Sequence, residues 1–389
     1  MKSWNYSWTV MVLCFVDFIA WYLNIAIIAP LLPLIIEELK LSYLQAGLVS
    51  TTVMLAYCLL QYPLGSLADR FGRRNIIVFG QAWSAVVCFL IGMVKDYTQF
   101  LILLAILGVG NGMHFTPIAA LISDYFLPRN RSKALTISFS GQAVSMLVAP
   151  LIALPLSFAY GWRAPYLVTA VFEVGVAIVF ALTVREPKRE SLGAAKFSGK
   201  GLFRADVIKL AFASHFIGYT LAVVNFIPLF LNRKLGIGSY EAGIIYMSIP
   251  IALVASSLGT LSSAIIDRLK AKMAVIASGV LASATTASIG LAFSVQTMIA
   301  ALASYGIMRS IMTPAILNYA TEVTQSKNRA AEMGFINTFW IMGSVIGPSI
   351  IGFLTDLSSF DMAFLTMSIV PLVSIVITMT LPKNDEEKR

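Results

Sequence analysis

Apolar residues follow one another in this chain in runs of about twenty, from one end to the other. As a helix rising ~1.5 Å per residue, such a run crosses the ~30 Å hydrocarbon core of a bilayer. The pattern predicts twelve spans, at approximately 9–35, 44–67, 75–93, 98–122, 134–157, 164–184, 207–231, 240–264, 273–293, 296–320, 331–355 and 360–382. The first is too long for a signal-peptide core and lacks a small-residue cleavage site, so it is expected to stay in the mature protein. Cys14, Cys58 and Cys88 all fall inside spans and read as small apolar fillers rather than a disulfide or metal set.

Composition supports an all-α integral membrane protein, with 58% hydrophobic and 12% charged residues. The net charge of +9 would suit nucleic acid, but its distribution points to a lipid bilayer instead. With both termini inside, the inner segments (2, 70–74, 129–133, 185–209, 268–272, 327–329 and 383–389) hold 22 of the 28 Lys and Arg. The outer segments hold Lys40, Lys95, Arg163, Arg233 and Lys234, and Arg309 stands alone inside a span. This asymmetry is the positive-inside rule and predicts cytoplasmic N- and C-termini.

The longest non-apolar stretch, 185–206, divides the chain into six-span halves, 1–184 and 207–389, with the stretch itself as a cytoplasmic linker. The halves repeat. A shift of 198 positions carries Pro30 to Pro228, Asp69-Arg70 to Asp267-Arg268, Arg131 to Arg329 and Pro150 to Pro348; a shift of 197 carries Thr116-Pro117 to Thr313-Pro314. A six-helix unit used twice in the same orientation is a parallel repeat.

Between spans 2 and 3 runs "GSLADRFGRR", with a degenerate copy at "SAIIDRLKAK" between spans 8 and 9. These loops resemble the signature of the major facilitator superfamily, which implies twelve transmembrane helices in two pseudo-symmetric halves. By that resemblance Gly65, Asp69, Arg70, Gly72, Arg73, Asp267 and Arg268 form a conformational-switch loop. Physically, the glycines permit a tight turn and close helix approach, Asp69 can cap a helix end, and the arginines suit the membrane surface. "NIAIIAPLLPLI", "PIAALISDYFLPRNRSKALTISFSG" and "GWRAPY" further resemble the anion:cation symporter branch. Trp21-Tyr22 replaces that branch's Asp-Arg pair before the helix 1 Asn. Leu104 stands where drug–proton antiporters commonly carry an arginine, and "GQAVSMLVAP" keeps only a remnant of their glycine motif.

Five ionisable residues lie far from any span end: Asp17 in span 1, His114 in span 4, Glu173 in span 6, His215 in span 7 and Arg309 in span 10. A charge at mid-bilayer costs ~2.5–3.5 kcal/mol on insertion scales, so each is a functional candidate. In the fold this chain resembles, spans 1, 4, 7 and 10 line the central cavity. The repeat maps Asp17 onto His215, which predicts an acid–base pair at symmetry-related sites. Substrate contacts are expected from Arg309, His114, Asn24, Asn111, Tyr22, Tyr219 and Tyr305, and proton coupling from Asp17, His215 and Glu173. Three plainer readings stand beside these. Arg309 could be an ion pair to Asp17 or Glu173 that holds the bundle, His114 a packing histidine, and Glu173 a hydrogen-bonded buried carboxyl. "GVGNG" at 108–112 reads as close helix packing, not a nucleotide loop.

A guanidinium in a low-dielectric site presents a fork of donors matched to a carboxylate. The expectation is therefore a secondary active transporter with alternating access, performing symport of a small organic anion with protons. The alternative is a proton-coupled antiporter that expels cations or drugs. No enzyme is expected, since neither metal-ligand spacing nor a nucleophile–base pair stands out. No cofactor or metal is expected either, only a proton or sodium gradient. The chain should work as a monomer with its small-molecule substrate, in a prokaryotic plasma membrane, without nucleic acid.

Overall fold

The computed structural model describes residues 6–186, 204–258, 269–324 and 329–381, and among them every regular element is a helix. That follows from the solvent: in hydrocarbon each backbone N–H and C=O must be satisfied within its own segment. Eleven stretches are long and apolar enough to cross a bilayer. In order they are Tyr6–Leu39, Tyr43–Gln61, Arg73–Ile91, Tyr97–Tyr125, Lys133–Tyr160, Ala164–Thr183, Ala205–Leu235, Ala271–Gly290, Val295–Val323, Glu332–Leu357 and Phe360–Met379. Ser239–Ala255, shorter in its described part, completes the twelve as span 8. The predicted linker falls mainly on 187–203, outside the described residues.

Prolines stand at the breaks of spans 1, 4, 7 and 8. Proline lacks an N–H and its ring crowds the carbonyl four residues earlier. Pro30 acts on Ala26, and the first helix ends at Ala26 before resuming at Ile28. Pro117 acts on Met113, inside the interruption at 112–114 that separates Tyr97–Asn111 from Phe115–Tyr125. Pro228 follows a 3-10 stretch, Tyr219–Phe226, in the middle of span 7, and Pro250 acts on Tyr246, where Ser239–Tyr246 ends. Pro314 breaks nothing, and Val295–Val323 runs as one helix. The corresponding stretch of span 4 carries Gly108, Gly110 and Gly112, which weaken a helix that span 10 sustains.

Contacts group the chain into two compact units, one of Met1–Lys40 and Leu48–Leu192, the other of Leu41–Gly47 and Gly193–Arg389. In the first, spans 1, 3, 4 and 6 bury a core that includes Phe18, Trp21, Ile118 and Phe180. In the second, Gly218, Gly343 and Gly347 let spans 7 and 11 cross closely, with backbone or Cβ atoms of Trp340, His215 and Ala222 where a side chain would begin. Asp356, at the end of span 11, accepts the N–H groups of Tyr43 and Leu44 at 2.9 and 2.8 Å. It thereby satisfies donors that a helix N-terminus leaves open.

Each unit also repeats one helix crossing. A Cβ on Gly108 would press on the Val53 carbonyl and stand 2.6 Å from the Ala56 Cβ. A Cβ on Gly306, 198 positions later, would stand 2.5 Å from the Ile249 carbonyl and 2.8 Å from the Ala252 Cβ. The "GVGNG" glycines are therefore packing residues, as small residues in membrane helices commonly are. Gly108→Ala and Gly306→Ala should each destabilise by about 1–3 kcal/mol through overpacking. Gly175→Ala, where a Cβ meets nothing within 4 Å, should be neutral or slightly stabilising. Thermal unfolding of the three purified variants checks this; equal melting points would show that the crossings have slack.

Candidate functional site

In the first unit the predicted residues meet as two buried polar clusters. Asp17 comes from the middle of span 1 and is wholly buried. One of its oxygens, Oδ1, accepts from Gln81 Nε2 of span 3 at 2.8 Å; the other, Oδ2, lies 3.0 Å from His114 Nδ1. His114 occupies the Pro117 interruption of span 4, just before the helix resumes at Phe115. Trp21, one turn after Asp17, stacks on the imidazole with ring centroids 5.8 Å apart and planes 9° from parallel. Two turns along span 1, Asn24 donates to Glu173 Oε1 of span 6 at 2.8 Å, and Asn24 and Asn111 exchange amide hydrogen bonds at 3.2 Å. All three are fully buried.

Asp17 pairs with His114 inside its own unit. His215 lies 3.1 Å from the Phe339 carbonyl through Nδ1 and rests edge-on to Tyr219, their centroids 5.0 Å apart. Symmetry relates backbone positions, whereas a hydrogen bond needs a partner at the crossing point, and the crossing of spans 1 and 4 supplies one. Glu173 conforms to its plainer reading as a hydrogen-bonded buried carboxyl, although its donor is a side-chain amide rather than backbone. Tyr22 is half-buried and meets Trp21 edge-on at 5.5 Å.

The second unit presents Arg309. It sits fourteen residues from each end of the helix Val295–Val323, hence ~21 Å from both. Its side chain is partly buried, and Nε is enclosed without a hydrogen-bond partner. Among the described residues of its own unit no carboxylate pairs with it. Tyr305, one turn earlier, is fully buried and donates its hydroxyl to the Thr220 carbonyl in the 3-10 stretch of span 7. It braces spans 7 and 10 beside Arg309, while Tyr219 on the same stretch stays half-exposed.

The loop between spans 2 and 3 is held by residues that sequence reasoning did not single out. Gly72 has φ +98°, a conformation that favours glycine, and a helix begins at Arg73. Glu186 closes that helix end, its two oxygens accepting the N–H groups of Arg73 and Arg74 at 2.9 Å each. Arg73 Nη1 pairs with Asp124 and donates to the Ala120 carbonyl at 2.6 Å, and Arg74 donates to the Ala181 carbonyl. Gly65 packs against Thr116, and Arg70 is exposed. The side chain of Asp69, and all of Asp267 and Arg268, lie outside the described residues. Gln81, Asp124 and Glu186 were missed; a carboxylate just past the end of span 6 was the only local signal for any of them.

A transmembrane bundle of two units, with polar clusters at mid-span and an arginine-rich loop, defines a class of membrane transporter. The profile of the Major Facilitator Superfamily matches residues 10–265 and 210–389, and the chain belongs to that family. It is a multi-pass integral membrane transporter, not an enzyme. It is 25% identical over 376 residues to Multidrug resistance protein 1 of Bacillus subtilis, covering 93% of this chain and 94% of that one. It is 23% identical over 390 residues to the "Probable sulfoacetate transporter" of Cupriavidus necator, covering 91% and 88%. The fold is similar to that of a bacterial homologue of the human lysosomal transporter Spinster, with TM-score 0.86 and 17% identity, over 100% of this chain and 99% of that one.

Glu186 supplies a stability test. Its carboxylate satisfies two open donors and lies at the positive end of a helix dipole, so Glu186→Ala should cost about 1 kcal/mol. Glu186→Gln, which keeps an acceptor without the charge, should fall between. Denaturation of the two variants against the parent checks the order; an unchanged Glu186→Ala protein would mean that solvent serves the donors equally well.

Proposed function

We propose that this protein is a secondary active transporter that carries a small organic anion, a carboxylate, in symport with protons. One observation carries the reading: Arg309, the charge at the middle of span 10, has no anionic partner among the described residues of its own unit. A guanidinium at bilayer depth is expensive unless it is answered, and a substrate carboxylate answers it through two parallel hydrogen bonds. The similarity to a protein named as a sulfoacetate transporter supports an anionic cargo. Alternating exposure of the site follows the family plan of two six-helix repeats. The loop at Gly65–Arg74 governs switching between states. Both termini face the cytoplasm of a prokaryotic plasma membrane, as the distribution of Lys and Arg supports.

The second reading, proton-coupled efflux of cations or drugs, is favoured by the similarity to Multidrug resistance protein 1 along nearly the whole chain. It would use Asp17 and Glu173 to attract the cargo. Both carboxyls already have polar partners within their own unit, which weakens that role.

A thermal-shift screen of purified protein against small carboxylates, sugars and cationic drugs separates the two. Carboxylates should stabilise the parent. Arg309→Lys keeps the charge but loses the fork, so it should bind the best carboxylate at least tenfold more weakly, and Arg309→Ala should fold and not bind. Stabilisation by cations alone, or full carboxylate affinity in Arg309→Lys, would overturn the anion assignment.

A further inference from the structure

The cluster around Asp17 is more than a packing contact, and a coupling role for it rests on the protein being a proton-driven transporter. Both carboxylate oxygens end on nitrogen, Oδ1 on Gln81 Nε2 and Oδ2 on His114 Nδ1, with no exposure to solvent. Three atoms of the same cluster are buried without any partner: His114 Nε2, Gln81 Oε1 and Trp21 Nε1. Trp21 lies flat on one side of the imidazole, and on another the bare Cα of Gly80 makes room, a Cβ there falling 3.0 Å from Nε2.

The elements packed on span 1 bring few other charges to Asp17. Span 6 brings Glu173, whose field reaches it; span 3 brings Cys88; span 2 brings Tyr57, stacked on Trp21; span 1 itself contributes Cys14 and Tyr22. Span 5 and the helix leading into it carry cations only in the first two turns, at Arg129, Arg131 and Lys133, and beside span 1 they offer serines. No lysine or arginine of this unit is bonded to the cluster among the described residues.

The proton count follows from this geometry. Oδ1 is taken by an amide N–H, so Oδ2 and Nδ1 share one proton along their 3.0 Å axis. In that state the pair carries one net negative charge in a place without solvent. A second proton on Nε2, the nitrogen with a free lone pair, makes the pair neutral overall, which is the favourable state in a low-dielectric interior. Loading breaks an O–H bond of hydronium and forms one N–H bond, and unloading reverses it; nothing is oxidised. A sodium ion is not served here, because hard cations need several oxygen ligands and both carboxylate oxygens face N–H donors.

We propose that Asp17, His114 and Gln81 form a single buried proton site in the first unit, loaded at His114 Nε2, and that the proton and not sodium is the coupling ion. In this reading His114 is a proton carrier rather than a substrate contact.

The chain has only two histidines, so the test is direct. In full-length protein carrying His215→Gln and labelled with nitrogen-15 histidine, one imidazole remains to be read by NMR. Nδ1 should be the protonated nitrogen at pH 8, and the proton added on acidification should appear at Nε2 while the Nδ1 signal persists. Replacing potassium with sodium at constant ionic strength should move neither line. Adding Asp17→Asn should shift the Nδ1 line and change its response to pH; if that variant does not survive purification, Gln81→Leu, which removes the Oδ1 donor, should shift it too. Three outcomes would overturn the proposal: a bare Nδ1 with a protonated Nε2 at pH 8, indifference to both substitutions, or a sodium-dependent shift. None of these bears on Arg309, and loss of the carboxylate reading would leave these spectra unchanged.

Discussion

At bilayer depth there is no water to complete a hydrogen bond, so every polar group must find its partner inside the protein. The helical architecture obeys this at the backbone. Where prolines interrupt spans 1, 4, 7 and 8, the chain resumes within a few residues or tightens into a 3-10 stretch. Side chains obey it by pairing across helices, as in the contacts of Asp17 with His114 and Gln81 and of Glu173 with Asn24. Arg309 Nε, like His114 Nε2 and Gln81 Oε1, departs from the rule, buried without a partner.

The duplicated framework and the chemistry set on it have evolved to different degrees of likeness. The two units share the devices that shape helices: Pro30 and Pro228 disturb equivalent points of spans 1 and 7, and Gly108 and Gly306 open equivalent crossings. Polar residues at equivalent positions differ. Asp17 corresponds to His215, His114 to Met312 and Asn111 to Arg309. Where a steric requirement is shared, as at these positions, the same proline or glycine stands in both copies. A polar side chain has no such shared requirement, and its counterpart can be polar, as His215 and Arg309 are, or apolar, as Met312 is.

That separation also accounts for the spread of names among similar proteins. A drug-resistance protein and a sulfoacetate transporter resemble this chain to nearly the same extent over most of its length. What they share is a scaffold; a cargo is chosen by a handful of side chains at mid-span. In this chain the polar residues at mid-span include a guanidinium in one unit and, in the other, a carboxyl and an imidazole closed on each other.

The sequence by itself determined the spans, their twofold repeat and the identity of the ionisable residues at depth. Each of these depends on local physics: transfer of a twenty-residue run into hydrocarbon or the cost of a charge. Only the tertiary structure decided which polar groups meet. Asp17 and His114 are 97 positions apart, Asn24 and Glu173 149. Gln81 looked like any polar residue in span 3, and Glu186 like any residue of a linker. A helix offers several faces, and which one turns toward a neighbour is fixed by the rotation and tilt that close packing imposes at crossings such as Gly108 on Val53. At the crossing of spans 1 and 4 the short reach of a hydrogen bond joins Asp17 to His114.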